Sequence, residues 1–139
     1  MNKIEKITYK DYNLISAFIS EQFQDFNYFT RIGWNKENLN KQLLKKNNLC
    51  IGYFKSNILI GFIMGDIILQ SEKPQLDVYI LFVTKKFRRN NIASNLLNYI
   101  ETTKNTHGIS KIYIEVAENN FGAIKFYQKN NFVYFNFRH

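Results

Sequence analysis

Over residues 75–137 the sequence alternates between two periods, and that alternation restricts the fold more than any other feature. QLDVYILFVT (75–84) reads as a strand, rich in β-branched and aromatic residues. Ile92, Leu96, Leu97 and Ile100 then recur at helical spacing, in a helix running towards His107 and Gly108. KIYIEVA (111–117) is again a strand, 121–130 a short helix and FVYFNF (132–137) a last strand. A strand-helix-strand-helix-strand chain of this length calls for a sheet whose connections cross over its faces.

The front half differs. A short strand near residues 4–8 precedes Asp11, which is placed to cap a helix carrying Leu14, Ile15, Phe18, Ile19 and Phe23 on one face. Residues 25–34 read as a loop, and Asn35 as the cap of a second helix with Leu39, Leu43 and Leu44. Strands follow at 48–54 and 58–69, joined by a hairpin turn at Lys55-Ser56-Asn57, and a loop holding Pro74 leads into 75–84. The expected order is β-α-α-β-β-β-α-β-α-β, an α/β (α+β) fold with a mixed sheet flanked by helices, in one domain spanning 1–139.

Composition excludes several classes. Hydrophobic content of 45% is that of a globular chain, and there is no repeat, linker or like-charge tail. Cys50 is the only cysteine, in an apolar run that suits a small buried hydrophobe better than a nucleophile. His107 and His139 have no partners at ligand spacing, so no metal is expected. The N-terminus lacks the apolar segment of a signal peptide, and the apolar stretch 58–69 is too short for a bilayer and is interrupted by Gly61, Gly65 and Asp66. A cytoplasmic protein without membrane contact is expected. The net charge of +8 suits phosphate-bearing ligands or nucleic acid. A composition heavy in Lys, Asn, Ile, Phe and Tyr accounts for it equally well.

FRRNNIASNLL (87–97) places two arginines directly before a helix. The first amides of a helix have no internal acceptors, and that end is partly positive, so phosphate is its natural occupant. A structural loop would carry the same arginines, and the stretch is no P-loop, since it contains no glycine.

The segment 78–132 resembles the GNAT superfamily of acyl-CoA N-acyltransferases. Their pyrophosphate loop follows [Q/R]-x-x-G-x-[G/A]. Here it reads Arg88-Arg89-Asn90-Asn91-Ile92-Ala93, with Asn91, a residue that tolerates left-handed backbone, at the glycine position. YIEVAENNFGAIKFYQKNNF is similar to the family's LEVR-x-x-N-x-x-A-x-x-x-Y-x-x-x-G-F segment. Glu115, Asn120, Ala123, Tyr127 and Phe132 align with it, and Asn131 replaces a glycine. Gly33-Trp34-Asn35-Lys36-Glu37-Asn38-Leu39 resembles the Pro-Trp-Ser element of the bacterial ribosomal-protein alanine N-acetyltransferases (RimI-type).

The resemblance implies a GNAT-like, mostly antiparallel sheet and transfer of acetyl from acetyl-CoA to an amine. It implies that the amides of Arg89, Asn90, Asn91, Ile92, Ala93 and Ser94 cradle the pyrophosphate, with charge from Arg88 and Arg89. It implies that Asn120 touches coenzyme A, and that the pantetheine arm pairs with backbone at Leu81, Phe82 and Val83, where a bulge parts the strand from its neighbour. Glu115, opposite the aliphatic face of its strand and beside Tyr113, would be the general base, and Tyr127 the acid for the leaving thiolate. The acceptor implied first is the N-terminal alanine of a ribosomal protein or similar peptide. A small amine (polyamine, amino acid or aminoglycoside) is the second reading. A non-catalytic RNA-binding or acyl-CoA-sensing module is a remote third, since no KH or RRM signature is present. The family's sheet continues beyond the point where this sequence stops, so its last strand is expected to be missing or cut short.

Overall fold

In a computed structural model, which describes residues 2–70, 73–102, 109–116, 121–130 and 132, the alternation becomes a five-stranded sheet ordered β1-β2-β3-β4-β5. The elements are β1 (Asn2–Lys6), α1 (Tyr12–Glu21), α2 (Asn27–Arg31), α3 (Lys36–Leu44), β2 (Asn48–Lys55), β3 (Ile58–Gln70), β4 (Lys73–Val83), α4 (Ile92–Thr102), β5 (Lys111–Ile114) and α5 (Phe121–Lys129). β1 to β4 are antiparallel neighbours, and β5 lies parallel to β4 because α4 carries the chain across the sheet between them. The mixed, mostly antiparallel sheet is therefore as expected. The proposed last strand lies outside the described residues apart from Phe132.

Both faces of the sheet are covered, which is why β2 reads as an unbroken apolar run. On one face Phe18 from α1 and Phe26 meet Phe62 and Phe82 in tilted and edge-to-face contacts with centroids 5.2 to 6.2 Å apart. Cys50 is fully buried among them, and burial, with a smaller contribution from Asp11, pushes its thiol up, so it behaves as a hydrophobe. On the other face Ile92, Leu96, Leu97 and Ile100 of α4 bury against Ile63, Leu76 and Val78.

Local chemistry explains the turns. Ser56 and Asn57 both adopt positive φ (51° and 66°), the two-residue hairpin geometry that matches strand twist. The Asn35 side chain accepts from the Asn38 amide at 2.8 Å, capping α3.

Several expectations need correction. Asp11 precedes α1 but does not cap it. Its carboxylate accepts from the Thr8 amide at 2.9 Å, closing a capping box on a preceding turn of 3-10 helix. Residues 27–31 of the expected loop form α2. Phe23 and Leu44 lie exposed (65% and 60%), since α1 ends before Phe23 and Leu44 sits at the last turn of α3. Pro74 lies inside β4, opposite Leu69, where it stands near the strand start and its carbonyl accepts from Ser110.

The feature that positions the site is a β-bulge. β4 pairs Ile80 with Met64 and then Val78 with Gly65, so Tyr79 has no partner in β3. The side chains register it: Leu81 and Val78 pack on the α4 face, while Ile80 and Tyr79 both lie on the α1 face. Gly65 is required here. A Cβ on it would sit 2.0 Å from the Asp77 carbonyl oxygen.

Candidate active site

β5 pairs with β4 only from Gln75 to Val78, so the two strands part at the bulge. Beyond it, ladder phase decides which backbone groups are free. The Thr84 amide donates to Ile60 at 2.9 Å, which makes Phe82 and Phe62 a hydrogen-bonded pair and turns Leu81 and Val83 the other way, towards the opening. Phe82 therefore faces β3 with its backbone, and of the three residues expected to meet pantetheine, Leu81 and Val83 present the free edge. The Val83 carbonyl already accepts from Arg88 Nε at 2.9 Å, leaving its amide and both Leu81 groups without partners among the described residues.

Arg88 is thus partly a structural residue. Besides that bond, its guanidinium lies 5.6 Å from the centre of the Phe82 ring, locking the loop to the strand end. After it the backbone turns left-handed at Arg89 (φ 71°) and Asn91 (φ 61°). Asn91 thus stands at one of the few non-glycine positions with positive φ, the conformation the pattern's glycine would supply. The first α4 bond runs from Asn95 to Asn91. The amides of residues 89–94 have no acceptor among the described residues, and alternating handedness gathers such groups into an anion-binding concavity. Ile92 is buried in the core, Ala93 and Ser94 half-buried, and Arg89, Asn90 and Asn91 exposed.

Glu115 lies one residue past β5, exposed. The strand stops at Ile114 rather than running on through Val116, because its partner has already diverged. Ile112 and Ile114 pack on the α4 face, so Tyr113 between them faces the other way, opposite Asp77 of β4. Burial raises the Tyr113 hydroxyl, and the charges of Glu115, two residues on, and of Asp77, its register partner, raise it further. Neither carboxylate has an ion pair among the described residues. Tyr127 of α5 belongs to the other face. It packs against the α4 cluster beside Phe126 and Phe132, and burial pushes its pKa up to about 12. Base and acid candidates thus flank the β4–β5 opening from opposite sides. Asn120 lies outside the described residues.

Sequence reasoning missed the side chains that hold the bulge. Asp66, only 4% exposed, accepts from Gln42 Nε2 (2.5 Å), Lys45 Nζ (2.6 Å) and the Tyr79 hydroxyl (2.8 Å), and Trp34 stacks on the Tyr79 ring at 5.4 Å. The one signal was a charge inside an apolar run. Trp34, Gln42 and Lys45 also border an open depression of about 480 Å³.

A profile of the acetyltransferase (GNAT) family matches residues 9–132. The chain belongs to the GNAT acetyltransferase family. Among curated proteins none matches it in sequence. The structure of this GNAT acetyltransferase is similar to that of the aminoglycoside acetyltransferase HMB0005 from an uncultured soil metagenomic sample, with TM-score 0.79, 17% identity, and 100% of this chain and 95% of that chain covered. It is also similar to a ribosomal-protein-alanine N-acetyltransferase from Brucella melitensis biovar Abortus 2308 (TM-score 0.73, 13% identity, 100% of each chain covered). A third similar structure is AAC(6')-Iy in complex with the bisubstrate analog CoA-S-monomethyl-acetylneamine (TM-score 0.74, 13% identity, 100% and 99% covered). GNAT enzymes use acetyl-CoA, and this acetyltransferase has the free loop amides and open β4 edge to fit a pyrophosphate and a pantetheine amide.

The Asp66 cluster gives this enzyme an acid-sensitive element. Burial raises the Asp66 carboxyl, but hydrogen bonds from Lys45, Gln42 and Tyr79, with the Lys45 charge, outweigh it and hold the group below its ordinary 3.8. A depressed carboxyl contributes stability that is complete above the ordinary value and is lost as pH falls through the folded one. Urea titrations between about pH 5 and about pH 2 are expected to show wild type losing more stability than Asp66→Asn. Parallel losses would exclude Asp66 as the source.

Proposed function

We propose that the chain moves an acetyl group from acetyl-CoA to a primary amine, with residues 89–94 holding the pyrophosphate. The observation that carries the reading is the run of amides without partners among the described residues, beside the open edge at Leu81 and Val83. Arg89 adds charge, and Arg88 does so with the guanidinium nitrogens its Val83 bond leaves over. Asn120 completes the cofactor contacts. Glu115 takes the proton of the acceptor ammonium, directly or through water. The freed nitrogen bonds to the acetyl carbon as the carbon–sulfur bond breaks, and Tyr127 gives its proton to the departing thiolate. The second proton of the nitrogen, acidic once the new bond has formed, passes through water to the Tyr127 phenolate. The raised pKa of Tyr127 keeps its hydroxyl proton in place at neutral pH. The same burial raises the affinity of a thiolate formed there for a proton, which offsets the weaker acidity of Tyr127.

Two acceptor classes remain distinct. Asp77 and Glu115 on the side of Tyr113, without an ion pair among the described residues in a chain of net charge +8, favour a small polycationic amine of the polyamine or aminoglycoside kind. Trp34, stacked on Tyr79 at the bulge and lining an open depression, favours the N-terminal alanine of a ribosomal protein or similar peptide.

Thiol release from acetyl-CoA, with Ala-, Ser- and Met-initiated peptides, spermidine and an aminoglycoside as acceptors, decides between them. Turnover on spermidine or the aminoglycoside alone supports the cation reading, and turnover on the Ala peptide alone the other. Absence of acetyl-CoA binding would overturn the reading as a whole. In the same assay Arg88→Ala with Arg89→Ala is expected to weaken acetyl-CoA binding about tenfold, on the scale of one or two charge-assisted contacts. Unchanged affinity would leave the amides as the sole holders of the phosphates.

A further inference from the structure

We propose that Asp66 is a positioning residue for acetyl transfer, acting through Tyr79 to fix the kink of β4 against which the thioester must lie. The inference rests on the acetyl-CoA reading above. Tyr79 is the residue of β4 that has no register partner in either neighbouring strand: the β3 register skips it, and β5 pairing ends at Val78. Its side chain supplies further anchors. The hydroxyl donates to Asp66 of β3 at 2.8 Å, and one ring face stacks on Trp34. Asp66 is in turn tied to α3 by Gln42 and to its C-cap by Lys45, so three segments converge on a residue the register skips. The free groups of Leu81 begin two residues further on. A shift of the kink therefore moves the edge that aligns the thioester.

The phosphate-binding amides lie well away, since the strand from Tyr79 to Val83 alone spans roughly 13 Å. Loss of the Tyr79–Asp66 bond should disturb the position of the acetyl carbonyl and leave the hold on the phosphates intact. Near-attack geometry is steep: a misplacement of about 1 Å costs about a hundredfold in rate.

Asp66→Asn leaves Lys45 without its partner and lowers stability, so Tyr79→Phe, which keeps the ring and its stack, carries the test alongside it. Both variants are expected to lower kcat about tenfold or more, with acetyl-CoA Kd within about twofold of wild type. The carbonyl carbon of bound [13C]acetyl-CoA should shift in its NMR resonance in both, a readout independent of acceptor and turnover. A thermal-stability loss in Tyr79→Phe with wild-type kcat and an unmoved carbonyl resonance would overturn the proposal and reduce Asp66 to a structural residue. Failure of wild type to bind acetyl-CoA would overturn the functional reading itself, and the proposal with it.

Discussion

Gly65→Ala is expected to destabilise the protein by about 3 kcal/mol or more, the upper end of what overpacking a tight interior costs. The new methyl carbon would stand 2.0 Å from the Asp77 carbonyl oxygen, 2.9 Å from its carbon and 3.0 Å from the Val78 Cα. All three are backbone atoms of β4, so no side chain can swing aside. β4 must move away from β3 at the point where the register already shifts, and the Tyr79–Asp66 bond lies beside that point. For a chain of this length the loss corresponds to a melting temperature lower by about 10 °C. Acetyl transfer should fall with it even well below the transition, because the same movement displaces the open edge. A melting temperature within about 2 °C of wild type would show that the strands are not so closely apposed.

Glu115→Gln should lower kcat by about a hundredfold to ten-thousandfold, the range in which a positioned base contributes. Glutamine keeps the size of the side chain and removes its ability to take a proton. Acetyl-CoA affinity should hold within about twofold, since the residue follows β5 and takes no part in the phosphate-binding loop. Exposure makes the substitution mild for the fold, so an inactive variant is not an unfolded one. If activity stays within about threefold of wild type, Glu115 is a solvated carboxylate. Asp77, which faces the same Tyr113 from β4, then becomes the base to test.

Much of the molecule is legible without coordinates because its determinants are local. Asn35 caps α3 through its own side chain, Ser56 and Asn57 take the positive φ of a tight hairpin, and the apolar spacing of α4 matches the face it buries. The loop is legible for the same reason. Asn91 reaches left-handed backbone by its own tolerance, and unpaired amides follow from any helix start. Where competing local partners exist, the reading slips: Asp11 had two amides to choose between, and it took that of Thr8. Pro74 signals a loop by itself, yet a strand start accommodates it.

The remainder depends on residues distant in sequence. That Tyr79 bulges, that β5 stops at Ile114, and that Phe82 turns its backbone from the opening while Leu81 turns towards it are consequences of register between strands, and composition carries no trace of register. Asp66 reads only as a charge in an apolar run until Gln42, Lys45 and Tyr79 arrive from α3 and β4 to satisfy it. Period, caps and turns set the elements and the family through interactions within a few residues along the chain. Strand pairing and side-chain convergence set the shape of the opening, because a hydrogen-bond ladder and a buried carboxylate each require partners that only the folded chain brings together.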